Sequence, residues 1–581
     1  MLNRLRSSWQ RSLHAWLLAL LAFGMYLPGF WFGAPYATAA DRVQSWGVDD
    51  GTPLQPLADV HNVLQPKPDR NLGYPLMHSF VLVAAYSPYL GWLWLTGQFS
   101  LAGGATYPFG LADPVAALRA LSLLAHFVSV LMGVGTVVAA WDAARALWGH
   151  RTAALAGLLA MTLFPMFYYS RTGNPDVPML FYSSVALAAF ARSLAGGFTV
   201  RRAVWLGMFT GFAVATKEPI AALFVTVPFV LMWLLWREGK AADGWFWWKS
   251  WKAPLAGAVA AFLAFGFGSG LFVDPNFFFA HLEFASGRMQ DLATGNLAFS
   301  DSYPRTWQGH LALARLLFDY LADCLTLPGV VLALLGMVWV ARREPRFVLL
   351  ALLPAGYLAI LFYSARAGQL RYVLPAALVM ALFEARALAL AWESPRRFLR
   401  LAGAGAALLV LGLASLRGLE LTHAMLHDSR YAAAQWLATH APPGTKVEFF
   451  GPSSNLPALA AGIETTRATP FFGAVYRYDT GPDAVSAVLA GWRSRQPDLI
   501  ILLPDHSSSP GAPYNVTCPP EVYRGLLEGA YGYRLAAAFE TPPLLPWVRR
   551  PALDYPSVNP PVRIFARVNP APRSIGAGGD E

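Results

Sequence analysis

Long apolar runs recur from residue 13 to residue 416, and they constrain this chain more than any motif does. They fall near residues 13–33, 118–140, 152–170, 177–195, 203–216, 219–236, 253–273, 325–341, 347–363, 371–391 and 400–416. Each is 14 to 23 residues long, about the length a helix needs to cross a bilayer, so eleven spans are expected. Composition agrees: 56% of the residues are apolar and 13% charged, and the mean hydropathy is +0.41, more grease than a soluble domain can bury. The net charge of +10 does not point to nucleic acid. Lys and Arg gather in short loops between apolar runs, as membrane orientation requires.

A further run, residues 74–97, is apolar enough to be a twelfth span. Reading it as a re-entrant or surface-lying helix puts Arg4, Arg6 and Arg11 on the same side as the loops around Arg145, Arg201, Arg237, Arg342 and Arg396. The positive-inside rule makes that side the cytoplasm. The stretches bearing Asp49, Arg171, Asp176, Lys217, Arg366 and Arg371 then share the outer face. Basic residues in short outer loops run against the charge trend and are retained more readily where they bind an anion; interfacial snorkelling is the plain alternative. Ala37-Thr38-Ala39 also resembles a signal-peptide cleavage site, a competing reading that leaves the topology unchanged.

Two outer segments are large, residues 34–117 and 274–324, and both are expected to carry surface helices. Past residue 416 the composition changes. Helical stretches near 432–437, 482–494 and 520–529 alternate with strands near 446–450, 498–503, 533–540 and 562–569. The expected architecture is therefore a mainly α polytopic membrane domain, residues 1–416, with a small extracytoplasmic α/β domain, residues 417–581.

No phosphate-binding glycine loop and no Ser/His/Asp nucleophile motif is present, which argues against nucleotide-driven transport. Cys324 and Cys518 build neither a disulfide framework nor a metal site. The tryptophans at 245, 247, 248 and 251, interleaved with Lys249 and Lys252, read as an interfacial belt.

Four short motifs, in order, resemble the GT-C type membrane glycosyltransferases. They are closest to glycosyltransferase family 39, which includes protein O-mannosyltransferases and the lipid A aminoarabinose transferase. The motifs are Asp49-Asp50 with Tyr74-Pro75, then Arg171-Thr-Gly-Asn-Pro-Asp176-Val-Pro, then Ala215-Thr216-Lys217-Glu218-Pro219, then Arg371-Tyr372-Val373-Leu374-Pro375. Glu218 stands where the family has glycine, which leaves the conformation of that loop open. The resemblance implies a hexosyl- or pentosyltransferase that takes one sugar from a polyprenyl-phosphate donor, with inversion, and attaches it to a lipid, glycan or protein acceptor. It would work at the outer face of the cell inner (cytoplasmic) membrane.

Such a transfer needs a base for the acceptor hydroxyl and cations for the phosphate. Asp49 is the expected base, Asp50 its support or a metal ligand, and Asp176 a further catalytic carboxylate. Turn formation is the alternative for the pair, and a helix-start charge the alternative for Asp176. Lys217, Arg171 and Arg371 are the expected phosphate binders, with Arg366 a lesser one. A divalent ion (Mg, Mn or Zn) would have Asp50, His281 and Glu283 to draw on, although no metal-ligand spacing links them. The different-class alternative is a transporter or lipid-linked sugar flippase, which should carry ionisable groups near mid-span.

Overall fold

The computed structural model describes residues 2–47, 49–65, 67, 70–239, 251–294, 303–366, 368–472, 477–479, 481–503, 517–551 and 558–568. The tryptophans at 245, 247 and 248 and Lys249 lie outside the described residues. The chain forms two compact units. One comprises Met1–Pro35, Val43–Leu426 and Pro543–Asp554, the other Tyr36–Arg42, His427–Pro542 and Tyr555–Glu581.

The first unit is helical. In chain order its longer helices are α1 (Leu2–Tyr26), α2 (Leu54–Leu64), α3 (Met77–Leu95), α4 (Pro114–Trp148), α5 (His150–Met161), α6 (Asp176–Gly196) and α7 (Val200–Val214). They continue as α8 (Val227–Gly239), α9 (Lys252–Gly268), α10 (Pro275–Thr294), α11 (Trp307–Leu325), α12 (Leu327–Arg343), α13 (Leu352–Ile360), α14 (Leu374–Glu393) and α15 (Arg397–Leu426). Six helical stretches among the described residues are long and apolar enough to cross a membrane, Pro114–Trp148, Asp176–Gly196 and Leu370–Glu393 among them. The pair α11 and α12 qualifies only jointly, bent by 99°, while Leu13–Tyr26 and Lys252–Gly268 are shorter apolar helices. α3 is not among the candidates. The run expected at 152–170 is broken after Met161 and resumes only as the short helix Met166–Tyr169.

Local chemistry sets the ends of these helices. Asp113 caps α4 by accepting a hydrogen bond from the Ala116 N–H, with Pro114 in the first turn where no N–H is needed. α7 and α9 approach through small residues: a Cβ on Gly207 would lie 1.9 Å from the Gly257 carbonyl oxygen. In an apolar solvent such close backbone packing substitutes for the missing hydrophobic drive.

The second unit is a five-stranded sheet in the order β2-β1-β5-β7-β6, built from β1 (Lys446–Phe449), β2 (Glu464–Arg467), β5 (Leu499–Leu502), β6 (Tyr533–Phe539) and β7 (Val562–Arg567). The remaining strands, β3 (Phe471–Phe472) and β4 (Arg477–Tyr478), form a separate antiparallel ribbon. β1 runs parallel to β2 and β5, and β7 antiparallel to β5 and β6. α16 (Ser429–His440) packs Ala433 and Leu437 with Ile501 and Ile564 on one face. α17 (Pro482–Arg495) and α18 (Pro520–Glu528) pack Val488, Trp492 and Val522 with Ile500 and Phe565 on the other. Covered on both faces, β5 is apolar throughout.

Three stretches differ from expectation, residues 417–426, residues 36–42 and Pro543–Asp554, the last of which belongs to the first unit. α15 continues past residue 416 to Leu426, because its apolar run ends in a polar but still helical turn. Residues 36–42, expected in the first outer loop, belong to the second unit, where the Arg42 guanidinium donates to the carbonyls of Ala460 and Ile463. Ala37, in the cleavage-like tripeptide, is fully buried.

If α3 does not span, Asn71→Cys and Ala105→Cys, exposed positions before and after it, react with an impermeant thiol reagent from the same side. Labelling from opposite sides would reverse the topology read from the loop charges.

Candidate active site

Asp49 and Asp50 are adjacent in sequence, yet they do different things. Asp49 sits in a left-handed backbone conformation, φ 52°, one of the few that aspartate tolerates better than most side chains. The turn sends the two carboxylates apart. Asp49 remains 27% exposed by side chain, and Asp50 is buried.

Asp50 is satisfied from three sides. Its Oδ1 accepts from the Thr52 hydroxyl and N–H, and its Oδ2 accepts the Gly173 N–H at 2.7 Å with His126 Nε2 3.3 Å away. Burial alone would raise this carboxyl, but His126, Thr52 and the Gly173 amide outweigh it and hold the group below the usual carboxylate range. The other ring nitrogen of His126 lies 2.7 Å from the Phe30 carbonyl. A Cβ at position 173 would fall 2.4 Å from Thr52 Cγ2 and 2.5 Å from Asp50 Oδ1, so only glycine lets the loop before α6 reach this carboxylate. Asp50 thus ties the Asp49 turn to the loop that leads into Asp176.

Asp49 meets Arg371, whose Nη2 lies 2.9 Å from its Oδ2. Arg371 occupies a single helical turn, Leu370–Val373, that leads into α14. Asp176, in the first turn of α6, accepts a hydrogen bond from Lys217 Nζ at 2.7 Å, and both side chains are buried. Lys217 Nζ also lies 5.5 Å from the centre of the Tyr74 ring, and both Lys217 and Tyr74 act on the Asp49 carboxyl. The two pairs therefore form one cluster. Burial would raise the Asp49 carboxyl, but Arg371, Lys217, the Tyr74 hydroxyl and Arg288 together hold it below the usual range. Burial and then Asp49 push the Tyr74 phenol well up, so it stays a donor at neutral pH.

Lys217 has an extended backbone, and the turn after it, Glu218–Ile220, carries no positive φ at Glu218. The position does not demand the glycine of the family pattern. Glu218 instead pairs with His281 of α10, whose other ring nitrogen meets the Leu72 carbonyl at 2.6 Å.

Two expected phosphate binders are not part of the cluster. Arg171 is fully buried and donates to the Tyr26 carbonyl at 3.0 Å, the Met25 carbonyl at 2.5 Å and the Thr422 hydroxyl at 2.8 Å. It ties α1 to α15. Burial pulls its guanidinium down to about 10, still charged at neutral pH. Arg366, at φ 51°, spends its fork on the carbonyls of Tyr303 and Pro304 and on His310. In both places backbone carbonyls that lack water draw in the planar donor array of arginine. The candidate metal ligands do not fit a metal either. Asp50 faces Thr52, Gly173 and His126, His281 faces Glu218 and Leu72, and no group of three His, Cys, Asp or Glu among the described residues could hold an ion. Tyr74, His126 and Arg288 escaped the sequence reading as site residues, although Tyr74 lay within a motif.

Residues 118–266 match the family model described as dolichyl-phosphate-mannose-protein mannosyltransferase. That stretch carries Asp176 and Lys217 and two of the four motifs, and over it the chain is similar to that mannosyltransferase family. Among solved structures the chain is similar to ArnT from Cupriavidus metallidurans bound to undecaprenyl phosphate, at 14% identity and TM-score 0.45, covering 96% of this chain and 98% of that one. It is also similar to the oligosaccharyltransferase AglB from Archaeoglobus fulgidus in complex with an inhibitory peptide and a dolichol-phosphate, at 13% identity and TM-score 0.45, covering 97% and 89%. The arabinofuranosyltransferase AftD from mycobacteria matches at 16% identity and TM-score 0.38, covering 89% of this chain and 40% of that one. No curated protein sequence matches.

Arg171→Ala leaves three acceptors without their buried donor, so it costs on the order of 3 kcal/mol of stability. This appears as a lowered melting temperature of the purified protein, and an unchanged melt would remove Arg171 from the scaffold.

The Asp49 carboxyl is depressed by its cations, so the stability it adds is present above its unfolded value of 3.8 and is lost as pH falls through the lower folded value. For the same reason the acid limb of kcat/KM for the donor, which reports the free enzyme, lies below about pH 4, and Arg371→Gln, which favours the protonated form, moves it upward. A limb that stays in place in Arg371→Gln would mean that another group titrates.

Proposed function

We propose that this chain is a membrane glycosyltransferase that moves a single sugar, hexosyl or pentosyl, from a polyprenyl-phosphate donor to a lipid, glycan or protein acceptor. The observation that carries the reading is the assembly of Asp49, Arg371, Asp176 and Lys217 from four separate segments into two adjoining carboxylate–cation pairs. In this reading Asp49 takes the proton from the acceptor hydroxyl as its oxygen forms the new bond to the anomeric carbon. The bond from that carbon to the phosphate oxygen breaks, the electron pair leaves with the lipid phosphate, and the configuration inverts.

Arg371 and Lys217 hold the donor phosphate and stabilise the charge that accumulates on it. Asp176 orients Lys217, and Asp50 fixes the turn that presents Asp49. The exposure of Asp49, against the burial of Asp176 and Asp50, favours it as the group an acceptor reaches. Positive charge where the phosphate leaves is supplied by side chains. The site and the α/β domain are assigned to the extracytoplasmic face of the inner membrane by the sidedness of the Lys- and Arg-rich loops.

Asp49→Asn keeps the size but removes the basicity, so transfer from a lipid-phosphate sugar to a crude envelope acceptor falls by about 100-fold or more while donor binding survives. Lys217→Ala weakens donor use by roughly tenfold to 100-fold in kcat/KM, as expected for one charge-assisted contact. Near-normal transfer by both variants would defeat this mechanism. Movement of the lipid across the bilayer without sugar transfer would establish the flippase in its place.

A further inference from the structure

The start of α15 borders a cavity of ≈ 590 Å³, lined by Arg151 of α5, by Trp392 and Glu393 at the end of α14, and by Arg397, Arg400 and Leu401. These residues take no part in the cluster around Asp49. Glu393, the one carboxylate in the lining, is already shared between Arg151 at 3.6 Å and Arg386 at 3.9 Å. Arg397 and Arg400 make no ion pair with any described residue. The lining therefore carries positive charge that the protein does not neutralise.

Depth follows from position. Arg397 and Arg400 stand in the first turn of α15, whose apolar continuation is long enough to enter a bilayer. That first turn contains no acidic residue, and its free N–H groups favour an anion. Beside and beyond it the surface is bare and greasy: Trp392 is 57%, Leu401 63% and Leu408 76% exposed. Cationic forks at a helix start, directly above exposed leucines, match a molecule that is an anion at one end and a hydrocarbon at the other.

We propose that this cavity binds the phosphate headgroup of an anionic phospholipid, with Arg397 and Arg400 on the phosphate and an acyl chain along Leu401 and Leu408. The site lies on the face that carries the Lys- and Arg-rich loops, and it requires nothing of the transfer chemistry. Free inorganic phosphate shares the headgroup chemistry but not the chain.

The test is native mass spectrometry of the full-length protein in detergent, titrated with phosphatidylglycerol or phosphatidylcholine. Phosphatidylglycerol is retained in preference, and its affinity falls roughly 25-fold in Arg397→Gln/Arg400→Gln, about fivefold for each interfacial arginine. Arg397→Lys/Arg400→Lys, which keeps the charge but not the fork, recovers part of the affinity and guards against a folding defect. Inorganic phosphate in large excess leaves the lipid in place. Equal retention of the two lipids, unchanged retention in the Gln pair, or displacement by inorganic phosphate would each overturn the assignment.

Discussion

Every ion in the cluster around Asp49 has been drawn partly or wholly out of water, at an effective cost of several kcal/mol per buried charge. Arg371 and Lys217, both nearly buried, each have a carboxylate oxygen within 3 Å, at 2.9 Å and 2.7 Å. Removing either partner would strand the other. The pairing therefore dictates where four chain segments must come together: the turn at Asp49, the start of α6, the turn after α7 and the entry to α14. The apolar helices supply the walls, and the ion pairs fix which ends of those helices meet.

Asp50 and Arg171 show how much of the polar chemistry goes into holding that arrangement. Asp50 accepts from Thr52 and Gly173 and faces His126, which fixes the turn that leaves Asp49 free to meet Arg371. Arg171 binds the last carbonyls of α1 and a hydroxyl of α15. Neither reaches the open side of the cluster. A carboxylate or guanidinium buried among backbone groups is a poor ligand for a mobile phosphate, because each donor or acceptor it would offer is already spent.

The sequence made some of this legible and not the rest, for physical reasons. Hydropathy marks apolar helices well, since twenty apolar residues in a row have few other uses, and α4, α6 and α14 lie close to where the runs predict. Asp49, Asp176, Lys217 and Arg371 were readable because charged residues at the ends of apolar runs need a reason to be there. Composition cannot tell a cation that faces a site from one that caps carbonyls. Arg171 and Arg371 look alike in sequence, one in Arg-Thr-Gly and the other in Arg-Tyr-Val, and only packing separates the clamp from the site member. The attachment of residues 36–42 to the second unit was equally hidden, because Arg42 bonds to carbonyls more than four hundred residues away in the chain.

The same pairing that stabilises the cluster also restrains it. While Arg371 and Lys217 lie against carboxylates, Asp49 is a weak base, held below its ordinary range. On the proposed reading, a lipid phosphate entering the cluster competes for those two cations, and each interaction it takes leaves Asp49 less well paired. Loss of a neighbouring positive charge raises a carboxylate's affinity for protons, so the base strengthens as the donor binds. Tyr74, kept protonated by its surroundings, lowers the Asp49 carboxyl and limits that rise. An acceptor hydroxyl that arrives before the donor would find a carboxylate too well satisfied to take its proton. On that reading donor binding and base activation become one event.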